Sequence, residues 1–193
     1  MIIYTTKQTR ERYNITPLEK MSDPLKEFYQ SILDNEGCDD LLGWGAKLFY
    51  FDRRKCLQVV NFASKFTIFL IDVKANILSQ VPSYMFEYIF DIYKNDNLMI
   101  KCLNKMIDEY PFCAFSKLTN RSIISTLNQT EMSFAGYGYH FYEYIENGII
   151  QSRKINRDIN RDWLFSKQNG KKTEYFNSAD KFRELVVGRF GKE

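Results

Sequence analysis

The chain has 193 residues, of which 45% are hydrophobic, 26% charged and 16% aromatic, with a net charge of +3. That is enough apolar material for one globular domain with a packed aromatic core, and too little net charge to argue a polyanion partner by itself. A single histidine and four cysteines without a Cys-x-x-Cys pair exclude a structural zinc site, and no apolar run approaches the ~20 residues of a membrane-spanning helix.

Met1-Ile2-Ile3-Tyr4 turns polar at once into Thr5-Thr6-Lys7, which is not a secretory leader pattern. The expected setting is the cytoplasm, away from membrane, with Cys38, Cys56, Cys102 and Cys113 as free thiols. Ile2 to Thr6 predicts a short strand tied into a sheet, and Lys7 to Tyr13 one or two helical turns ended at Asn14-Ile15-Thr16-Pro17. Ser22-Asp23-Pro24 is a helix start, with Ser22 as cap and Pro in the first turn. Leu25, Phe28, Tyr29, Ile32 and Leu33 recur at helical spacing and predict a buried stripe.

From Gly43 to Lys74 three apolar runs are separated by Asp52-Arg53-Arg54-Lys55 and Ala63-Ser64-Lys65. Runs of this length, rich in Val, Ile, Phe and Tyr, predict a three-stranded antiparallel meander, apolar on both faces and so covered on both. Pro82 opens a mostly buried helix through Tyr93, and Asn95-Asp96-Asn97 caps the next. There Leu98, Met99, Cys102, Leu103, Met106, Ile107 and Tyr110 give the clearest amphipathic pattern in the chain, closed by Pro111. Cys113 to Leu118 predicts a short strand, followed by a helix carrying Ile123, Ile124 and Leu127. Phe134 to Ile145 reads as helix despite Gly136 and Gly138, with His140 packed or on the surface, and Asn147-Gly148 as a turn.

The remaining residues read as a basic extension, 151–193, packed on a single α+β domain of residues 1–150. Asn-Arg-Asp occurs twice, four residues apart, which on a helix aligns Arg153, Arg157 and Arg161. Asn169-Gly170-Lys171-Lys172 reads as a loop, and Ser178 as the cap of a last helix with Phe182, Leu185 and Val186 inward. The expected fold is thus a small, mainly antiparallel sheet built on the meander, joined by the N-terminal strand and packed against several helices.

Four short pieces carry a resemblance: Tyr4-Thr5-Thr6-Lys7, Trp44-Gly45-Ala46, Arg53-Arg54-Lys55-Cys56, and Thr119-Asn120-Arg121-Ser122 with Asn128 beyond it. In this order and spacing, over roughly residues 1 to 145, the chain resembles an uncharacterised bacterial domain-of-unknown-function family (number 6933). Past that point only Ile159-Asn160 looks similar. The resemblance implies a bacterial cytoplasmic protein, sometimes carried by mobile elements, with no established activity.

Charge is unevenly distributed: segments 1–52 and 76–150 are each net −3, whereas 53–75 is net +4 and 151–193 net +5. A basic rim follows if the two positive segments face one way. The first candidate site is Thr6, Lys7, Arg53, Arg54, Asn120, Arg121 and Ser122. A capped helix start beside Arg121 offers amide donors and a fork of guanidinium protons to a phosphate or carboxylate. The plain alternative is that these are ordinary caps and an exposed turn. The second candidate is catalytic: Asp52, then Asp72-Val73-Lys74, a short pattern resembling magnesium-dependent nucleases in which carboxylates hold the ion and Lys positions water. No resident metal or cofactor is expected outside that nuclease alternative. The preferred expectation is a non-enzymatic binding module whose basic rim takes nucleic acid or a phosphate-bearing ligand. The competing classes are the nuclease and a protein–protein component of a toxin–antitoxin or phage-defence system.

Overall fold

The three apolar runs fold as strands. A computed structural model describes residues 1–136, 141–170 and 172–192. Its main sheet contains β1 (Ile2–Thr5), β2 (Gly43–Phe51), β3 (Arg54–Asn61), β4 (Thr67–Leu70) and β5 (Ala114–Lys117), in the order β4-β3-β2-β1-β5. The meander β2-β3-β4 is antiparallel, as its short connections require. The N-terminal strand β1 joins it parallel to β2, and β5 pairs parallel to β1, so the sheet is mixed.

The first connection is shorter than predicted. Asp52 and Arg53 alone make it, both at positive φ (47° and 62°), the geometry of a type I′ turn that follows the strand twist. Arg54 and Lys55 therefore belong to β3. At the second connection Asn61 is a buried hub. Its Oδ1 accepts from the Ala63 and Ser64 amides and the Ser64 hydroxyl, and its Nδ2 donates to the Leu41 and Gly43 carbonyls.

Seven α-helices among the described residues surround the sheet: α1 (Lys7–Tyr13), α2 (Asp23–Glu36), α3 (Val81–Ile92), α4 (Asn97–Glu109), α5 (Arg121–Glu131), α6 (Ser152–Arg161) and α7 (Ser178–Phe190). On one face Trp44, Leu48, Leu57, Val59 and Ile68 bury against Met85, Ile89, Leu103 and Phe182 from α3, α4 and α7. On the other, Phe49, Cys56 and Phe69 meet Phe134, Phe141, Ile155 and Ile159, while Val60 meets Ile123 and Leu127 of α5. Gly45 permits that approach, since a Cβ there would stand 2.3 Å from Ile123 Cγ2.

Several expectations change on contact with the packing. Of the predicted α2 stripe only Ile32 is fully buried, and Leu25 and Phe28 remain exposed, because α2 covers just the β1–β5 end of the sheet. The α3 helix is one-sided, buried at Val81, Met85 and Ile89 with Tyr84 exposed. Phe134 to Ile145 is not one helix. A π-turn (Met132–Gly136) and a 3-10 turn (Phe141–Tyr144) flank residues 137–140, which with His140 lie outside the described residues. Phe134 and Phe141 both pack on Phe69, at ring separations of 5.4 and 5.1 Å, and that shared cluster draws the two ends together where glycines disfavour helix. Then β6 (Ile145–Glu146) and β7 (Ile149–Ile150) pair across the Asn147-Gly148 turn. The loop predicted around Gly170 is the end of a hairpin, β8 (Leu164–Asn169) with β9 (Lys172–Asn177). The last helix is capped by Asn177, whose Oδ1 accepts from the Ala179 and Asp180 amides, rather than by Ser178.

The two sheet edges differ. A helix rise of about 6 Å over four residues nearly matches two residues of strand. Asn156 and Asn160, buried on α6, use this match to bind β4. Their Oδ1 atoms accept from the Phe69 and Thr67 amides at 2.7 and 2.8 Å, and their Nδ2 atoms donate to the same residues' carbonyls at 3.0 and 2.6 Å. Two side chains thus complete the ladder of an edge strand. At β5 none of the described residues does so.

Candidate functional site

The site is built where β1 and β5 end. Thr6 leaves β1 in extended conformation and caps α1, its Oγ1 accepting from the Thr9 amide at 3.3 Å. Thr9 Oγ1 in turn lies 2.7 Å from Thr6 Oγ1 and accepts from the Leu48 amide. The hydroxyl of Thr6 is therefore occupied within the fold. Asn14, at φ 51°, stops α1, and the chain runs through Pro17 and a 3-10 turn (Leu18–Lys20) back toward α2.

Between this segment, α1, Leu33 of α2 and the outer edge of β5 lies a cleft of about 740 Å³. Such a volume is in the range of ligand sites. Its walls carry Lys7, Arg10, Lys20 and Lys117 against Glu11 and Glu19, with Ile15, Leu18, Leu33 and Phe115 supplying apolar surface. Lys7 has only a loose pair with Glu11, 3.7 Å away, and is 83% exposed. Among the described residues Arg10, Lys20 and Lys117 have no carboxylate partner.

The other predicted positions lie elsewhere. Thr5 pairs with Ala46 of β2, and Arg53 is seven residues further along, about 23 Å at strand rise. Arg53 is exposed and Arg54 half-buried at that far turn. Asn120 caps α5, accepting from the Ile123 amide at 3.1 Å, and Ser122 Oγ lies 3.2 Å from Lys65 Nζ. That helix start lies near the β3–β4 connection, at the opposite end of β3 from Arg54, and Arg121 is exposed there. The candidate set thus occupies three places, of which Lys7 alone lines the cleft.

Asp52, Asp72 and Lys74 are all exposed, the two aspartates with positive φ. The backbone between Asp72 and Lys74 is tied down, with the Val73 amide donating to Lys55 and its carbonyl accepting from Tyr13. Burial pushes the Tyr13 hydroxyl up to about 12. Among the described residues no three His, Cys, Asp or Glu side chains converge as metal ligands.

The aligned arginines of α6 are committed to ion pairs. Arg153 meets Glu87 and Asp91, Arg157 meets Asp158, and Arg161 meets Asp180.

Two polar features escape a reading from sequence. Gln58 is fully buried opposite Lys47, and neither amide atom has a hydrogen-bond partner among the described residues. Lys47 itself pairs with Glu131 and donates to Asn128 Oδ1 at 2.7 Å. A lone Gln inside Cys56-Leu57-Gln58-Val59-Val60 was a signal in plain view. The cleft's cations had none, because Lys7, Arg10, Lys20 and Lys117 are brought together only by the pairing of β1 with β5.

Among the described residues no helix is long and apolar enough to cross a membrane. No curated protein and no solved structure matches the chain. Tyr4 and Thr5 of the first piece, Tyr4-Thr5-Thr6-Lys7, pair with Gly45 and Ala46 of the second, Trp44-Gly45-Ala46, and Gly45 lies under the helix that begins within Thr119-Asn120-Arg121-Ser122. The match to a known family takes in this shared framework and continues through α6 into α7: over residues 2–181 the chain belongs to the family described as Domain of unknown function (DUF6933).

Proposed function

We propose that the protein is a non-enzymatic binding module that takes an anionic partner in the cleft beside β5. One observation carries this reading. The cleft's Arg10, Lys20 and Lys117 have no carboxylate partner among the described residues, whereas the α6 arginines are held by Glu87, Asp91, Asp158 and Asp180. Unpaired cations around a concave, partly apolar surface keep their field for a ligand. Arg53, Arg54 and Arg121 are outlying points of positive charge that add to the field at long range only. On this reading residues 151–193 belong to the same folding unit as 1–150, since Phe182 packs on Trp44 at 5.8 Å.

The test is titration of wild type, Arg10→Ala and Lys117→Ala with inorganic tripolyphosphate, single-stranded RNA, duplex DNA and an acidic peptide at two salt concentrations. At least one anion should bind at low salt, and each replacement should weaken it several-fold, as expected of surface charge pairs worth up to about 1 kcal/mol. Absence of binding to every anion at low salt contradicts the proposal.

A further inference from the structure

We infer that the partner is an extended polypeptide with acidic side chains, added as a further strand along the free edge of β5. This rests on the reading of the cleft as an anion site and names the chemical class of its occupant.

The register supplies the first argument. In the parallel ladder the Ala114 amide donates to the Met1 carbonyl and the Leu118 amide to the Thr5 carbonyl. Residues 114, 116 and 118 thus face β1, and the amides and carbonyls of Phe115 and Lys117 face outward, toward the cleft. Among the described residues these four groups have no hydrogen-bond partner. Two donors and two acceptors repeat at the two-residue interval of a strand, which is the recognition surface of β-strand addition.

The opposite edge supplies contrast. There the outward groups of Thr67 and Phe69 are all closed by Asn156 and Asn160. The fold closes one edge with two dedicated side chains and leaves the other facing a cavity. The wall across that cavity, residues 14–20, makes no backbone hydrogen bond to β5, so a strand can enter between them.

The lining decides the chemistry. Successive side chains of a strand point to opposite sides. Lys7, Arg10, Lys20 and Lys117 offer partners for carboxylates, and Ile15, Leu18, Leu33 and Phe115 for the alternating apolar residues. A nucleic-acid backbone fits less well, because phosphate oxygens can accept from the two outward amides but, unlike a strand, have no donor for the two outward carbonyls. A second copy of this chain would bring two sets of these cations together, so the occupant is a different chain.

The experiment follows individual amides of full-length, isotopically labelled protein by NMR hydrogen exchange. The probes are an octapeptide of alternating Asp and Val, the same peptide with alternate amides N-methylated, an alternating Lys and Val octapeptide, tripolyphosphate, and single-stranded RNA. The Asp–Val peptide should slow exchange at Phe115 and Lys117 at least tenfold. N-methylation should weaken binding about tenfold, and the Lys–Val peptide should not bind. If the Asp–Val peptide and tripolyphosphate both bind but the Phe115 and Lys117 amides are unprotected, strand addition is overturned while the anion site stands. RNA binding more tightly than the Asp–Val peptide, or equal binding of the Lys–Val peptide, also overturns the inference. If no anion binds, the inference and the reading beneath it fall together, and Lys117 is an ordinary guard of a short edge strand.

Discussion

Asn160 concentrates four hydrogen bonds in one buried amide. It holds the amide and carbonyl of Thr67, donates to the Asn156 carbonyl, and accepts from the Ser178 hydroxyl at 2.8 Å. Asn160→Ala strands a buried amide and carbonyl on β4, so it should cost about 2–4 kcal/mol. A denaturant midpoint unchanged from wild type would show that β4 does not depend on the clamp. Asp96 makes a second residue-scale case. The Arg183 guanidinium, 2.5 Å away, and the Met99 amide hold its carboxyl below the usual carboxylate range. A depressed folded value adds stability above the unfolded value near pH ~4, and that stability is lost as pH falls through the folded value. Asp96→Asn can still accept the cap bond but carries no charge, so its stability should fall less steeply on acidification. Urea midpoints followed from neutral pH into acid read this out, and superimposable acid limbs would contradict it. Neither role was legible in the same degree. Asp96 reads as a cap from its place in Asn95-Asp96-Asn97, whereas Asn156 and Asn160 are legible only as the polar positions of the Asn-Arg-Asp repeat.

Elements with local periodicity were legible. The meander, α4 and the start of α5 follow from alternation, helical spacing and caps that lie within a dozen residues. The parallel pairing of β1 with β2 and β5 joins residues about 40 and 110 positions apart, and nothing local encodes it. The β8–β9 hairpin is not legible for a different reason. Much of it is polar and exposed, with Tyr175 70% exposed, so it lacks the apolar face by which strands are recognised. The β2–β3 turn yields a prediction of its own. Both Asp52 and Arg53 occupy the left-handed region, where Asn-Gly is preferred. The double replacement Asp52→Asn, Arg53→Gly should stabilise the protein by about 1 kcal/mol. It should leave binding at the cleft unchanged. A loss of stability would mean that the native side chains make contacts that outweigh their backbone strain.

At the scale of the whole molecule, the sheet is a slab covered on both faces, and the larger core lies under α3, α4 and α7. Leu103 is fully buried in that core. Leu103→Ala should destabilise by about 2–5 kcal/mol through the cavity it leaves, measurable as a shifted urea midpoint, and no shift would mean a poorly packed layer. Charge is where the chain as a whole departs from its segments. The segment of net +5 looked like a binding surface, yet its Arg153, Arg183 and Arg189 reach across to Glu87, Asp96 and Asp39 in the two segments of net −3. Those acidic segments in turn supply Lys7, Arg10, Lys20 and Lys117, the cations of the cleft. Segment sums misled because folding pairs charges between segments, and only the unpaired remainder is available to a partner.

That remainder can be measured. The Asp–Val octapeptide is titrated at low and moderate salt against wild type, a cleft variant (Lys20→Ala, Lys117→Ala) and a rim variant (Arg53→Ala, Arg121→Ala). All the replaced residues but Arg121 and Arg53 line the cleft, and all four are exposed, so each variant should fold as wild type does. The account predicts that the cleft variant loses about tenfold or more in affinity with a flatter salt dependence, while the rim variant stays within about twofold of wild type. An unchanged cleft variant, or a rim variant that loses as much, would contradict it.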